Sequence, residues 1–239
     1  MQFKRLLAAL IILAGVAFGQ IQASAQQAVE KAHNASYHIV QSTLAGNSVC
    51  SATAIGPQAL LTATHCELPS DDLGLAGQEV QTDVVIVDRV RDSLDHTIYF
   101  IKGATFPVYV DVIQQKPGLA EEVFSFGNPG DLDDIYSKGY VAGIKYDHSL
   151  AASFGHADPP EILFNLLVYE GNSGSGVFNM GGDLIAVESV CEIQKKDGLS
   201  TSFAGAHPLY FKKAELARAK TFTTPPEPKN DKAPPTAKQ

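Results

Sequence analysis

Short apolar runs at close spacing, separated by turn residues, constrain this chain more than any other feature. Between Tyr37 and Val112 they fall at Tyr37–Leu44, Ser48–Ile55, Ala59–Ala63, Val80–Val90, Thr97–Ile101 and Phe106–Val112. A break follows at Gln114-Gln115-Lys116-Pro117-Gly118. The runs then resume at Glu122–Phe126, Gly139–Tyr146, Ile162–Val168, Gly176–Asn179, Leu184–Val190 and Ser200–Ala204. Runs this short cannot be helices of useful length, and the turns between them favour antiparallel pairing. The pattern predicts an all-β chain of closed barrels or sandwiches, in two sets of six strands divided near Pro117. Among the later segments helical character is expected only at the end, over 208–220, where Leu209, Phe211, Leu216 and Ala219 are apolar, while Gln26–Asn34 reads as a polar lead-in compatible with a short helix.

The two ends differ from this pattern. Lys4 and Arg5 precede an apolar run from Leu6 to Phe18, and Ala23-Ser24-Ala25 offers small residues at the spacing of a signal-peptidase site. Residues 1–25 therefore read as a secretory leader, because the run is short for a membrane span. Its removal takes away two positive charges and leaves a net charge of −10 in place of −8. An acidic surface argues against nucleic acid and anionic membranes as partners. The last stretch, 221–239, carries Pro225, Pro226, Pro228, Pro234 and Pro235 among lysines, and reads as a disordered tail.

Chemistry is concentrated in Gly171-Asn172-Ser173-Gly174-Ser175-Gly176. Glycines around one serine allow a tight turn that presents the hydroxyl and leaves backbone N–H groups uncovered. Acyl transfer needs both a nucleophile and donors for an oxyanion. The hydroxyl also needs a base. Of seven histidines, His65 stands out, at the end of the strand-like run Ala59–Ala63 and next to Cys66. Cys50 lies in the preceding run, so the two cysteines could staple the turn that carries His65. A third group must orient the imidazole, and Asp88, Asp92 and Asp95 are the candidates.

Leu61-Thr62-Ala63-Thr64-His65-Cys66 together with Gly171-Asn172-Ser173-Gly174 resembles the chymotrypsin-fold serine peptidases. Glu122–Gly130, Lys138–Gly143 and Gly182–Val187 are similar to the HtrA-like and glutamyl-endopeptidase branch. The resemblance covers residues 36–215 and implies two six-stranded antiparallel Greek-key barrels, at about 36–115 and 116–207, with an active site in the cleft between them. The peptidase domain is read as 26–220, and the proline-rich stretch after it offers no second domain, so the peptide-binding PDZ module that HtrA proteins usually carry is not expected.

By that resemblance Asp95, which directly precedes an apolar strand, is the third catalytic residue, with Asp92 as the fallback. Ser173 is then the nucleophile, His65 the base, and the N–H groups of Gly171 and Ser173 the oxyanion donors. The position before the serine, an aspartate in trypsin-type zymogens, is Asn172 here. An amide cannot pair with a newly cut N-terminal ammonium, so activity should not need that activation. Leu167, Glu188 and Val190 are expected to line the primary pocket. Leu167 argues against a trypsin-like pocket, and a charged Glu188 would repel an acidic side chain.

A Cys50–Cys66 bridge fits an oxidising compartment and leaves Cys191 as a buried thiol. His148, His156 and Asp158 match no metal-ligand spacing, and no metal or cofactor is expected. The sequence thus predicts a secreted or periplasmic serine endopeptidase acting on proteins or peptides. It predicts no nucleic-acid partner and no stable membrane insertion after leader removal. The rival reading is a catalytically silent binding protein of the same fold, and the presence of every catalytic residue type weighs against it.

Overall fold

The computed structural model describes residues 23–43, 46–67, 69–130, 132–145, 161–196 and 199–225. The leader before residue 23, the tail after residue 225, and His148, His156 and Asp158 lie outside the described residues.

The chain forms two antiparallel β units. The first is a closed barrel ordered β1-β2-β3-β6-β5-β4, from Ser36–Thr43, Gly46–Gly56, Ala59–Ala63, Asp72–Ala76, Gln81–Arg91 and His96–Lys102 in chain order. The second is a barrel-like sheet ordered β11-β10-β7-β8-β9-β13-β12. Its strands are β7 (Glu122–Gly127), β8 (Ile135–Lys145), β9 (Glu161–Phe164), β10 (Gly176–Asn179), β11 (Leu184–Val187), β12 (Val190–Lys196) and β13 (Leu199–Ala206). Among the described residues two helices flank them: α1 over 23–34, and α2 at Lys213–Thr221.

The all-β architecture with one short C-terminal helix follows the sequence reading, with three local differences. Residues 106–112 are an extended connector, not a strand. Phe106 and Val110 are buried, Phe106 packs on Tyr37 at 4.8 Å, and the Val110 N–H donates to the Ala54 carbonyl. The sixth strand of the first barrel is instead β4, where Leu73 and Leu75 point inward between more exposed residues. Its aspartate and glycine dilute the apolar signal. In the second unit β12 is a separate strand, because at Glu188-Ser189 the backbone passes from one partner to another, the Glu188 N–H donating to Ser175 and the Ser189 N–H to Gly205, and the sheet has seven strands.

The terminal helix also begins later than the apolar pattern implied. Gln114 accepts from the Phe211 N–H at 2.7 Å and donates to the Phe211 carbonyl at 2.8 Å, holding that residue extended. The helix starts only where Glu215 accepts the Lys212 N–H at 2.7 Å. Leu209 and Phe211 are buried from this extended segment.

One apolar cluster joins the units. It runs through the first barrel and continues into Phe124, Phe126, Phe178, Leu184 and Val187 of the second sheet. α1 adds to the junction through His33, stacked on Phe126 at 4.7 Å. α2 closes the far end of the first barrel, where Arg218 lies 3.9 Å from the Phe100 ring and pairs with Asp88 at 2.6 Å. A second, smaller cluster around Val123, Val141, Phe164, Val177 and Ala186 fills the other unit.

Cys50 on β2 and Cys66 after β3 form a disulfide across 16 residues of sequence. A loop of that length, once closed, restricts the unfolded chain and stabilises the fold by about 3 kcal/mol. The double variant Cys50→Ala/Cys66→Ala is therefore expected to lose about 3 kcal/mol in urea unfolding, and dithiothreitol should destabilise the wild type by a similar amount. An unchanged midpoint in both would contradict this.

Candidate active site

His65 and Asp95 meet because their strands are neighbours. β3 pairs with β6, and the register sets Ala63 opposite His96. The residues just beyond each strand end are thus side by side. His65 lies in a 3-10 turn over Thr64–Cys66, and Asp95 in the turn that enters β6. The Asp95 carbonyl accepts from the Thr64 N–H at 3.0 Å, and its carboxylate accepts the His65 N–H at 2.9 Å. The other carboxylate oxygen is 2.6 Å from His65 Nδ1. Two bonds to one carboxylate fix both the turn and the ring.

The electrostatics follow. The bond to Asp95 is the main cause that raises the His65 pKa above 6.5, against the opposing effect of partial burial. Burial alone would raise Asp95, but the bonds from His65 outweigh it and carry the carboxyl below its ordinary value. The imidazolium form of His65 is thus favoured by the adjacent negative charge.

Of the other carboxylates that the sequence left open, neither touches His65. Asp88 faces Arg218. Asp92 accepts from His96 Nδ1 at 2.7 Å, and both side chains are fully buried. The second oxygen of Asp92 accepts the Leu94 N–H, and the Tyr210 N–H reaches the first. This buried pair shapes the turn from which Asp95 projects.

Ser173 lies in the loop between β9 and β10. Its carbonyl accepts the Ser51 N–H from β2 at 2.7 Å, and Cys66 Sγ is 3.7 Å from the same oxygen. The serine's backbone therefore abuts the residue next to His65. On the other side the Gly174 N–H donates to the Glu188 carbonyl at 2.7 Å, and the Glu188 N–H donates to Ser175 at 2.9 Å. Gly171 and Gly174 have φ of +98° and +86°. A side chain at Gly174 would drive its Cβ to 2.0 Å from the Ser51 carbonyl. Glycine is thus required by both conformation and space.

A model of the trypsin-like peptidase domain matches residues 50–187. The chain belongs to that family. Solved structures share its fold. An HtrA-type protease, AlgW, determined with a tripeptide, is 20% identical with a TM-score of 0.62, covering 77% of this chain and 59% of its own. The serine endoprotease from Yersinia pestis is 20% identical with a TM-score of 0.59, covering 81% of this chain and 63% of its own. The active form of the Rv3671c protease from M. tuberculosis is 14% identical with a TM-score of 0.62, covering 83% and 86%. This chain thus spans less than two thirds of the first two proteins. A comparison with curated proteins returns no match.

The residues expected to line the primary pocket of this peptidase domain differ in exposure. Leu167 is 46% exposed and Glu188 only 3%. The side chains of Val190 and Cys191 lie outside the described residues. Glu188 accepts a bond from Ser125 Oγ at 2.8 Å. Burial pushes its carboxyl up to about 8, against bonds from Ser125 and Asn172 that pull it down. At neutral pH it is an uncharged acid, so it lacks the charge on which repulsion of an acidic substrate would depend. Asn172 also donates from Nδ2 to the Leu167 carbonyl at 2.9 Å. Ser51, Asn128 and Ser125 are polar residues at the site that the sequence reading did not single out. Asn128 was visible only as part of a Gly-Asn-Pro-Gly turn, and a lone serine after a cysteine carries no signal.

The proton on Glu188 links stability to pH. The unfolded carboxyl titrates near 4.5 and the folded one near 8. Between those values the folded state holds one more proton, so its contribution is full below 4.5 and is lost as pH rises through 8. Glu188→Gln removes this dependence. Urea unfolding at pH 5 and pH 9 should show the wild type losing on the order of 3 kcal/mol more than the variant over that interval. Parallel losses in both proteins would refute a neutral Glu188.

Proposed function

We propose that the protein is a secreted serine endopeptidase, with Ser173 as nucleophile, His65 as general base and acid, and Asp95 as the group that orients His65. The contact between His65 Nδ1 and Asp95 at 2.6 Å, in a turn that abuts the Ser173 carbonyl, carries this reading. With Nδ1–H committed to Asp95, His65 Nε2 is the free nitrogen that accepts the serine proton.

The reaction then runs in two halves. Ser173 Oγ attacks the scissile carbonyl carbon as its proton passes to His65. The oxygen of that carbonyl becomes an oxyanion, held by the Gly171 and Ser173 N–H groups. The intermediate collapses, the C–N bond breaks, and His65 gives its proton to the leaving amine. Water, deprotonated by His65, next attacks the acyl-enzyme and releases the acid. Asp95 stabilises the imidazolium throughout and keeps its own charge.

Other observations support a secreted enzyme on peptide substrates. AlgW, whose fold this chain shares, was solved with a tripeptide and, as a variant, with a decapeptide. The Cys50–Cys66 disulfide suits an oxidising compartment. Among the described residues no helix is long and apolar enough to cross a membrane. Asn172 makes neutral bonds in place of an ion pair, in keeping with activity that needs no N-terminal ammonium.

The test is covalent labelling by a fluorophosphonate. Wild type should label and Ser173→Ala should not, while His65→Ala should label at least 10³-fold more slowly. Folded wild type that neither labels nor cleaves casein would favour the silent binding protein instead.

A second check is the pH profile. Activity needs neutral His65, so kcat/KM should rise with pH through a value above 6.5. Asp95→Asn should lower kcat by about 10⁴-fold and move that limb to lower pH. A limb that does not move would remove Asp95 from this role.

A further inference from the structure

The two proposed oxyanion donors are aimed by backbone bonds on the opposite edges of their peptide units. A trans peptide points its N–H away from its C=O. The Glu170 carbonyl accepts the Gly130 N–H at 2.7 Å, which turns the Gly171 N–H the other way. The Asn172 carbonyl accepts the Ser175 N–H at 2.8 Å, which does the same for Ser173. Among the described residues neither the Gly171 nor the Ser173 N–H donates to a protein acceptor.

The unit between them, from Gly171 to Asn172, is held on its N–H edge by the Tyr169 carbonyl, which accepts the Asn172 N–H at 3.1 Å, and on its C=O edge by side chains. Ser51 Oγ donates to the Gly171 carbonyl at 2.9 Å. Asn128 Nδ2 donates to Ser51 Oγ at 3.0 Å, and Asn128 Oδ1 accepts the Asp134 N–H at 3.1 Å. These directions are not interchangeable. Oδ1 must face the backbone N–H, so Nδ2 must face the serine. A hydroxyl that accepts from Nδ2 has its single proton free for Gly171. Ser51 is 1% and Asn128 3% exposed, so water does not compete for either. The Asn128 carbonyl also limits residue 171 sterically, since a Cβ there would sit 2.2 Å from it.

We propose that Asn128 and Ser51 are positioning residues for the oxyanion site: a two-link chain of hydrogen bonds from the turn after β7, through β2, that locks the Gly171–Asn172 peptide. Neither side chain touches substrate. The chain starts in the second unit, crosses to the first barrel and returns, so the donor geometry depends on how the two units dock. The Gly171–Asn172 peptide carries neither donor but joins the two peptides that do, so a flip there, to which a glycine at φ +98° offers little resistance, would change how the two N–H groups are aimed relative to one another. Ser51, backed by Asn128, and the Tyr169 carbonyl oppose that flip.

This inference rests on the proposed peptidase activity and is tested beside it. Fluorescein-labelled casein serves as substrate, and fluorophosphonate titration counts competent sites, so that rates are expressed per folded, reactive enzyme. Ser51→Ala and Asn128→Ala should each lower kcat by about ten- to a hundredfold and leave KM within about twofold, because only the oxyanion state uses the donors. The double variant should lose no more than the worse single variant, since both act through one chain. Asn128→Asp, which keeps the Oδ1 acceptor and removes the donor, should behave as Asn128→Ala does and provides a second route if the alanine variant does not fold. Unchanged kcat per titrated site in the variants, or losses that multiply in the double variant, would overturn the inference while the peptidase reading stands. Wild type without labelling or turnover would overturn both.

Discussion

The hydrogen bond from the Ser51 N–H to the Ser173 carbonyl, 2.7 Å long, is the contact on which the site depends. It joins a strand of the first barrel to the loop that carries the serine in the second unit. His65 and Asp95 belong wholly to the first barrel, through the β3–β6 register. Ser173, Gly171 and Glu188 belong to the second. Apolar burial through Phe124, Phe126, Phe178 and Leu184 drives the docking. That term is non-directional and tolerates sliding. The polar contacts at the seam do not, and they select one alignment out of those that bury similar area.

Those polar contacts are buried. Glu188 is held by Ser125 and contacts Asn172. Ser51 links Asn128 to Gly171. Asp92 accepts from His96 Nδ1 and receives the Tyr210 N–H from the segment before α2. An unpaired polar group at such depth would be costly. Satisfied, the same groups hold the loops rigidly in a low-dielectric setting. His65 and Asp95 differ, being partly open to solvent, as the proposed activity requires.

How much was legible in the sequence varies with the type of signal. Strands such as β3 and β6, apolar and buried along almost their full length, were readable from composition alone. β4 was not, because Asp72 and Gly74 hide two inward leucines. β12 was not, because Lys195 and Lys196 extend a strand beyond its apolar part. The connector 106–112 has the composition of a strand but fills the core and pairs only through an isolated bridge from Val112 to Leu184, and nothing local separates the two outcomes. The choice among Asp88, Asp92 and Asp95 was open to local chemistry, and resemblance alone preferred Asp95. The register of two strands places it beside His65 and hands Asp92 to His96.

The sequence by itself determined the local rules: which runs alternate or bury as strands, where glycine is required around Ser173, and which cysteines are near enough to join. These depend on neighbours along the chain, and the physics of a turn or a strand acts over a few residues. The tertiary structure alone decided which carboxylate meets His65, that Glu188 holds a proton, and that Ser51 and Asn128 bear on a glycine more than 40 residues away in the chain. Those outcomes come from strand register and from the desolvation that follows when two units dock. Neither is written in any single segment.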